Sequence, residues 1–160
     1  MSGSEPVAVV RIQALGGCTI TIGADDVSLD LNGFTVTPVS AAAISVSNRD
    51  NVRIFNGTIA GGDGAGIAGS GMGSIFISDL QLLDITGDCI DLNNPLGILI
   101  IERIRCHRAT RGGIFIRQFL DLPLNAVVRD NVISNVSRYG CAASRENCVP
   151  SSDGSWCRNA

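Results

Sequence analysis

The six residues CIDLNN (89–94) decide the fold, because the same strand pattern returns at a fixed distance along the chain. Related segments are AISVSN (43–48), GIAGSG (66–71) and GIFIRQ (113–118). The second residue of each segment is isoleucine, and these residues, Ile44, Ile67, Ile90 and Ile114, are 23, 23 and 24 residues apart. Alternation of apolar and other residues is typical of β-strands. The pattern therefore predicts one short strand per repeat.

A second series of strand-like segments interleaves with the first at nearly the same period. It comprises VSLDLNGFTV (27–36), VRIFNGTI (52–59), IFISDLQLL (75–83), ILIIERIRC (98–106) and VVRDNVIS (127–134). The polar residues within these segments, Asn32, Asn56, Asp79 and Asp130, suit bends because Asn and Asp tolerate left-handed backbone. Leucine-rich repeats have a similar period, but their Leu/Asn consensus is absent. Two series with one period predict an all-β solenoid, a parallel β-helix of about five coils.

The whole chain is predicted to form one domain at residues 1–160. A stack of coils has two open ends that must be covered. We expect an N-terminal cap at 1–17, coils at 18–140 and a cysteine-containing C-terminal cap at 141–160.

Composition restricts the functional classes. The 12 basic residues form no run and the net charge is −3, so no nucleic-acid partner is expected. The longest apolar stretch falls short of 18 residues, so no membrane span is expected. Six cysteines favour an oxidising compartment, which predicts a secreted, periplasmic or extracellular protein.

The chain also resembles a known group of proteins. LDLNGFTV (29–36), followed by short Gly-Ile strands, looks like the pectate-lyase-like right-handed parallel β-helix superfamily over residues 18–140. TGDCIDL (86–92) is similar to a polygalacturonase strand. That likeness implies a disulfide between Cys89 and Cys106. Most catalytic positions differ, however. Gly87, Gly112 and Ala65 stand where those enzymes carry Asp, His and Asp, which argues against polygalacturonase activity itself.

The remaining cysteines are constrained by the height of the stack. Cys18 lies in the first coil, roughly 20 Å from the C-terminal cysteines, while disulfides need Cα atoms within about 7 Å. It shares parity with Ile20 and Ile22, so its thiol should point inward. Near the C-terminus the expected pair is Cys148–Cys157 or Cys141–Cys148.

Alternation along CIDLNN predicts a candidate site on the outer face of one sheet. With Ile90 and Leu92 inside, Asp91 and Asn93 point outward, and one coil later so do Phe115 and Arg117. We place Asp88 on the same face. Asp88, Asp91 and Arg117 are the candidate catalytic residues, as carboxylate acid and base with an arginine for a sugar carboxylate. Asn93 and Phe115 are candidate substrate-binding residues, together with His107 and Arg111.

Two further alternatives for this cluster remain open, and His107 has two of its own. Asp84, Asp88 and Asp91 could hold Ca²⁺ through oxygen ligands. The face could also be plain solvated surface with an Asp91–Arg117 ion pair, which would contribute little stability. The only histidine, His107, lies among Arg103, Arg105, Arg108 and Arg111, which indicates either an anion-binding cluster or a solvent-facing turn.

Two classes of function follow. The first is a carbohydrate-active protein that binds or cleaves an acidic polysaccharide, as a polysaccharide lyase or glycoside hydrolase if it is an enzyme. The second is a non-catalytic structural or adhesion module, such as part of a tailspike or surface protein. A monomer or a homotrimer would fit either class, since trimer formation would bury one face.

Overall fold

All regular elements in the described part of the chain are β-strands, and all the strand pairings there are parallel. A computed structural model describes residues 8–11, 15–39, 41–119, 125–143 and 158–159. The strands are β1 (Ala8–Arg11), β2 (Leu15–Gly16), β3 (Ile20–Ile22), β4 (Val27–Asp30), β5 (Thr35–Thr37), β6 (Ile44–Ser47), β7 (Val52–Ala60), β8 (Ile67–Ser70), β9 (Ile75–Ile85), β10 (Ile90–Asn93), β11 (Ile98–Glu102), β12 (Arg105–Ala109), β13 (Gly112–Arg117), β14 (Asn125–Arg129), β15 (Val132–Val136), β16 (Tyr139–Ala143) and β17 (Arg158–Asn159).

The strands stack into three parallel ladders, one strand of each per coil. The first ladder contains β1, β4, the N-terminal parts of β7 and β9, then β11 and β14. The second contains β2, β5, the C-terminal parts of β7 and β9, then β12, β15 and β17. The third contains β3, β6, β8, β10, β13 and β16 in sequence order. The predicted all-β parallel solenoid of about five coils is confirmed.

Left-handed residues form the corners between the first and second ladders. Asn32, Asn56, Asp79 and Asp130 have φ between 53° and 63°, as their residue types predicted. Arg103 occupies the same corner in the fourth coil with φ 54°, although arginine seldom adopts this conformation. Its guanidinium bonds both carboxylate oxygens of Asp79 one coil below, at 2.7 and 3.0 Å. Residue type alone does not indicate this corner, because the ion pair depends on the stacking of coils.

The core consists of columns of aliphatic side chains inside the stack. The predicted column of Ile44, Ile67, Ile90 and Ile114 is confirmed by the strand register, and all four are buried. In the next column Gly69 stands between Val46 and Leu92. A Cβ on Gly69 would lie 2.6 Å from the sulfur of Met72, so the methionine fills that space.

A disulfide joins Cys89 to Cys106 across the interior, as the resemblance implied. Cys141 is also disulfide-bonded. The pairings expected for Cys148 and Cys157 lie outside the described residues. Cys18, expected to point inward, is only half-buried.

The two ends of the stack are described in part. Residues 8–11, within the expected N-terminal cap, pair with β4 and so extend the first ladder. The rest of the expected N-terminal cap and most of the C-terminal cap lie outside the described residues.

Candidate functional site

The outer side of β10, β13 and β16, here called the third-ladder face, brings together the residues predicted from CIDLNN. Asp91 is in register with Phe115, and Asn93 with Arg117. The coils before them carry small outer residues, since Asp91 and Asn93 pair with Ala68 and Ser70 on the other side. The outer side chains of β10 and β13 are therefore larger than those of the preceding strand β8.

Arg117 is fixed by three contacts on this face. Its Nη2 donates to both oxygens of Asp91, at 3.0 and 2.9 Å. Its guanidinium carbon lies 4.8 Å from the centre of the Phe115 ring. Asn93 donates from Nδ2 to Asp91 Oδ1 at 3.2 Å. The Asp91 and Arg117 side chains are 17% and 31% exposed, so the pair is partly shielded from solvent screening.

Tyr139, which the sequence did not mark as a site residue, extends the face upward. Its ring lies 5.0 Å from that of Phe115, centre to centre, with the planes tilted by 38°. Its hydroxyl donates to Asp88 Oδ1 at 2.7 Å, across the intervening strand. Gly112, in register with Tyr139, permits this reach, because a Cβ there would lie 2.2 Å from the ring.

Asp88 lies beneath Tyr139, and its placement on the open outer face is wrong. It is 1% exposed and sits in the turn between β9 and β10. It has the same parity as Ile90 and Leu92, so alternation points it inward. Its Oδ2 has no hydrogen-bond partner among the described residues, and Arg111 Nε is 3.8 Å away.

The environment of Asp88 alters the acidity of its partner. Burial, followed by the hydrogen bond to Asp88, raises the pKa of Tyr139 to about 12. The phenol therefore remains a hydrogen-bond donor throughout the neutral and mildly alkaline range.

The three carboxylates proposed for Ca²⁺ do not converge. Asp84 is exposed at a corner beside Arg108, whose hydrogen bond lowers the pKa of Asp84. Asp91 bonds Arg117 and Asp88 bonds Tyr139. Within the described residues, no group of three or more His, Cys, Asp or Glu could hold a metal ion.

His107 lies on a different face from the other predicted binding residues. It belongs to β12 in the second ladder, and its Nδ1 is 2.8 Å from the Ser134 hydroxyl. The basic cluster expected around it is also divided, since Arg103 and Arg108 bond acidic residues of the preceding coil. Arg111, 48% exposed, is the arginine of this group that borders the third-ladder face through Asp88.

With the geometry established, comparison with known proteins identifies the class. The family described as a right-handed beta helix region matches residues 7–153. The chain belongs to this right-handed β-helix family. Neither the curated proteins nor the solved structures include a significant match to the chain. In the described residues there is no helix with the length and apolarity needed to traverse a membrane.

Proposed function

We propose that this protein binds an acidic polysaccharide along the third-ladder face. The observation that carries the proposal is the paired aromatic surface of Phe115 and Tyr139, flanked by a fixed arginine–carboxylate pair. Sugar-binding surfaces need flat apolar groups for the ring faces and a few oriented polar groups for the hydroxyls. Asp91, Asn93 and Arg117 supply the polar groups within one coil of the rings.

The preference for an acidic polymer comes from the charges at the edge of the face. Asp91 offsets the charge of Arg117, whereas Arg111 is half-exposed and lies 3.8 Å from a buried carboxylate with no hydrogen bond between them. A guanidinium in this position can bind the carboxylate of a uronic acid. Arg111 is therefore the proposed group that selects acidic over neutral chains.

Binding fits the arrangement of the carboxylates better than cleavage does. A glycosidase needs one carboxyl group to protonate the leaving oxygen and another as base or nucleophile. Here Asp91 is engaged by Arg117, and Asp88 is buried beneath Tyr139. A lyase or hydrolase is the second candidate, favoured by the unbonded Oδ2 of buried Asp88. A purely structural or adhesion module is the third.

The binding proposal is tested by titrating polygalacturonate, with neutral galactan in parallel, by calorimetry. We expect Phe115→Ala to weaken binding of the acidic polymer at least tenfold and Arg111→Gln to remove the preference over galactan. Phe34→Ala is the matched control, because Phe34 is 39% exposed in a turn outside the third ladder. Equal affinity of Phe115→Ala and the wild type would refute the proposal.

Cleavage is tested on the same substrates by following reducing ends and the ultraviolet absorbance of unsaturated sugars. Product that disappears in Asp88→Asn would replace simple binding with catalysis at this face. Absorbance would identify a lyase, and reducing ends without absorbance a hydrolase.

The proposed setting is outside the cell. The Cys89–Cys106 disulfide is compatible with an oxidising compartment and with a secreted or periplasmic protein. We propose a pectate-lyase-like scaffold that acts as a monomer or a homotrimer. Sedimentation of the purified protein distinguishes the two states.

A further inference from the structure

A depression lies on the outer face of the first ladder, away from the third-ladder face. It has a volume of about 330 Å³. This is at the lower end of small-ligand sites, which run from about 300 to 1,000 Å³. Its size therefore suits a single ring rather than a long chain.

The depression arises where a small residue stands among large ones in successive coils. One column reads Arg53, Phe76, Ile100 and Val127, and the next reads Phe55, Ser78, Glu102 and Arg129. Ser78 thus forms a low floor between Phe55 below and Glu102 above. Phe76 and Ile100 supply the adjacent apolar wall.

The arginines around this depression differ in whether they have an acidic partner. Arg129 bonds Glu102 through Nε at 2.8 Å, and Arg103 bonds the other oxygen of Glu102 at 2.5 Å. Arg53 instead lies over the Phe76 ring, 5.1 Å from its centre. Among the described residues Arg53 makes no ion pair. The depression therefore offers one positive charge, held beside two aromatic rings, to an anionic ligand.

We infer that this depression binds one carboxylated sugar residue, with its carboxylate on Arg53 and its ring between Phe55 and Ile100. The carboxylate would pair with Arg53, and the apolar face of the sugar ring would cover Phe55. The Glu102 carboxylate provides an acceptor for a sugar hydroxyl at the opposite wall. The inference rests on the proposed function for the kind of ring, and adds a second contact point for the same polymer.

Two sites on different faces would change how the protein engages a polymer. One molecule could hold two segments of polysaccharide, so that each contact raises the effective concentration of the other. This avidity requires no new contact at either site.

The test is a titration of D-galacturonic acid into isotope-labelled protein, followed by amide chemical shifts. We expect a Kd on the order of 1 mM, typical of a ligand this small, with shifts centred on residues 53–55, 76–78 and 100–102. Arg53→Gln should weaken binding at least tenfold, and Ser78→Leu, which fills the floor, should abolish it. D-galactose, which lacks the carboxylate, should bind at least tenfold more weakly.

Phe115→Ala separates this inference from the proposed function. It should leave the monosaccharide shifts on the first ladder unchanged even where polymer binding is reduced. Loss of monosaccharide binding in Phe115→Ala, or its retention in Arg53→Gln, would overturn the inference. Equal binding of galactose would overturn the role of Arg53. A dimer or trimer dispersed by Ser78→Leu would show that a second copy occupies the depression instead.

Discussion

The third-ladder face and the first-ladder face each carry an arginine over a phenylalanine, yet their surroundings differ. Arg117 lies 4.8 Å from Phe115, and Arg53 lies 5.1 Å from Phe76. Asp91 neutralises Arg117, whereas Arg53 has no ion pair among the described residues. The arginine is therefore held by a carboxylate on the third-ladder face, whereas on the first-ladder face it has no ion pair among the described residues. The neighbours in adjacent coils decide between these two arrangements.

The largest predicted effect comes from the disulfide that ties the start of β10, in the third ladder, to β12 in the second ladder. Replacing Cys89 and Cys106 by alanine should lower the free energy of unfolding by about 3 kcal/mol, since the bond closes a loop of 17 residues. Urea denaturation measures this change. Cys18→Ala is the control because it leaves that bond intact. A loss below about 1 kcal/mol would mean that the stacking alone holds the third-ladder face.

The next effect concerns the space under Tyr139. Gly112→Ala should lower the free energy of unfolding by about 1–3 kcal/mol, the usual cost of overpacking, because the new Cβ would lie 2.2 Å from the tyrosine ring. Gly23→Ala is the matched control, since no heavy atom lies within 4 Å of a Cβ there. Denaturation of both variants measures the difference, and equal stability would mean that the ring moves aside freely.

A pH titration tests the bond between Tyr139 and Asp88. Tyr139 is the single tyrosine of the chain, so its phenolate absorbance is directly visible. The pKa should be about 12 in the folded protein, against an ordinary value of 10.0 in urea. The pKa of Tyr139 is raised on folding, so the neutral phenol contributes to the stability of the folded state. That contribution is complete below pH 10 and is lost as the pH rises towards about 12.

Tyr139→Phe provides the control for that titration. The variant should lack the alkaline loss of stability that the wild type shows in this range. A phenolate that forms near pH 10 in the folded wild type would contradict both the burial of Tyr139 and its hydrogen bond to Asp88.

The smallest effect is expected from the two arginines themselves. Arg117→Gln should cost no more than about 1 kcal/mol of stability, because the Asp91 pair is partly exposed and salt-sensitive. Arg53→Gln should cost less, since it breaks no ion pair within the described residues. Thermal denaturation at low and high salt compares them. A larger loss of stability for Arg53→Gln than for Arg117→Gln would mean that Arg53, rather than Arg117, is the arginine held by its neighbours.

The sequence predicted those features that depend on the period alone. The isoleucines at spacings of 23, 23 and 24 residues predict one column, and alternation from that column puts Asp91, Asn93, Phe115 and Arg117 on a shared outer face. The disulfide was implied by a local resemblance, and the bond between Cys89 and Cys106 is present.

The features that the sequence missed arise where the chain leaves the regular strands. The sequence analysis puts Asp88 outside with Asp91, although Asp88 has the parity of the inward-pointing Ile90 and is buried. Tyr139 was missed because its hydroxyl meets a residue 51 positions earlier, across a longer connection that disturbs the period. A count that aligned Cys141 with Ile114 would have placed Tyr139 above Gly112 and Asp88.

The bond from Tyr139 to Asp88 also bears on how the stack comes apart. A solenoid normally frays from its ends, because each repeat contacts only the adjacent repeats and an end repeat has one such contact instead of two. Tyr139 starts β16, the outermost strand of the third ladder within the described residues, but its hydroxyl is held in the turn before β10, two coils away. Pulling that strand from the end must break this contact as well as the pairing with β13. The final coils are thereby coupled into one cooperative unit, and mechanical unzipping from this end should begin with a single step larger than one coil.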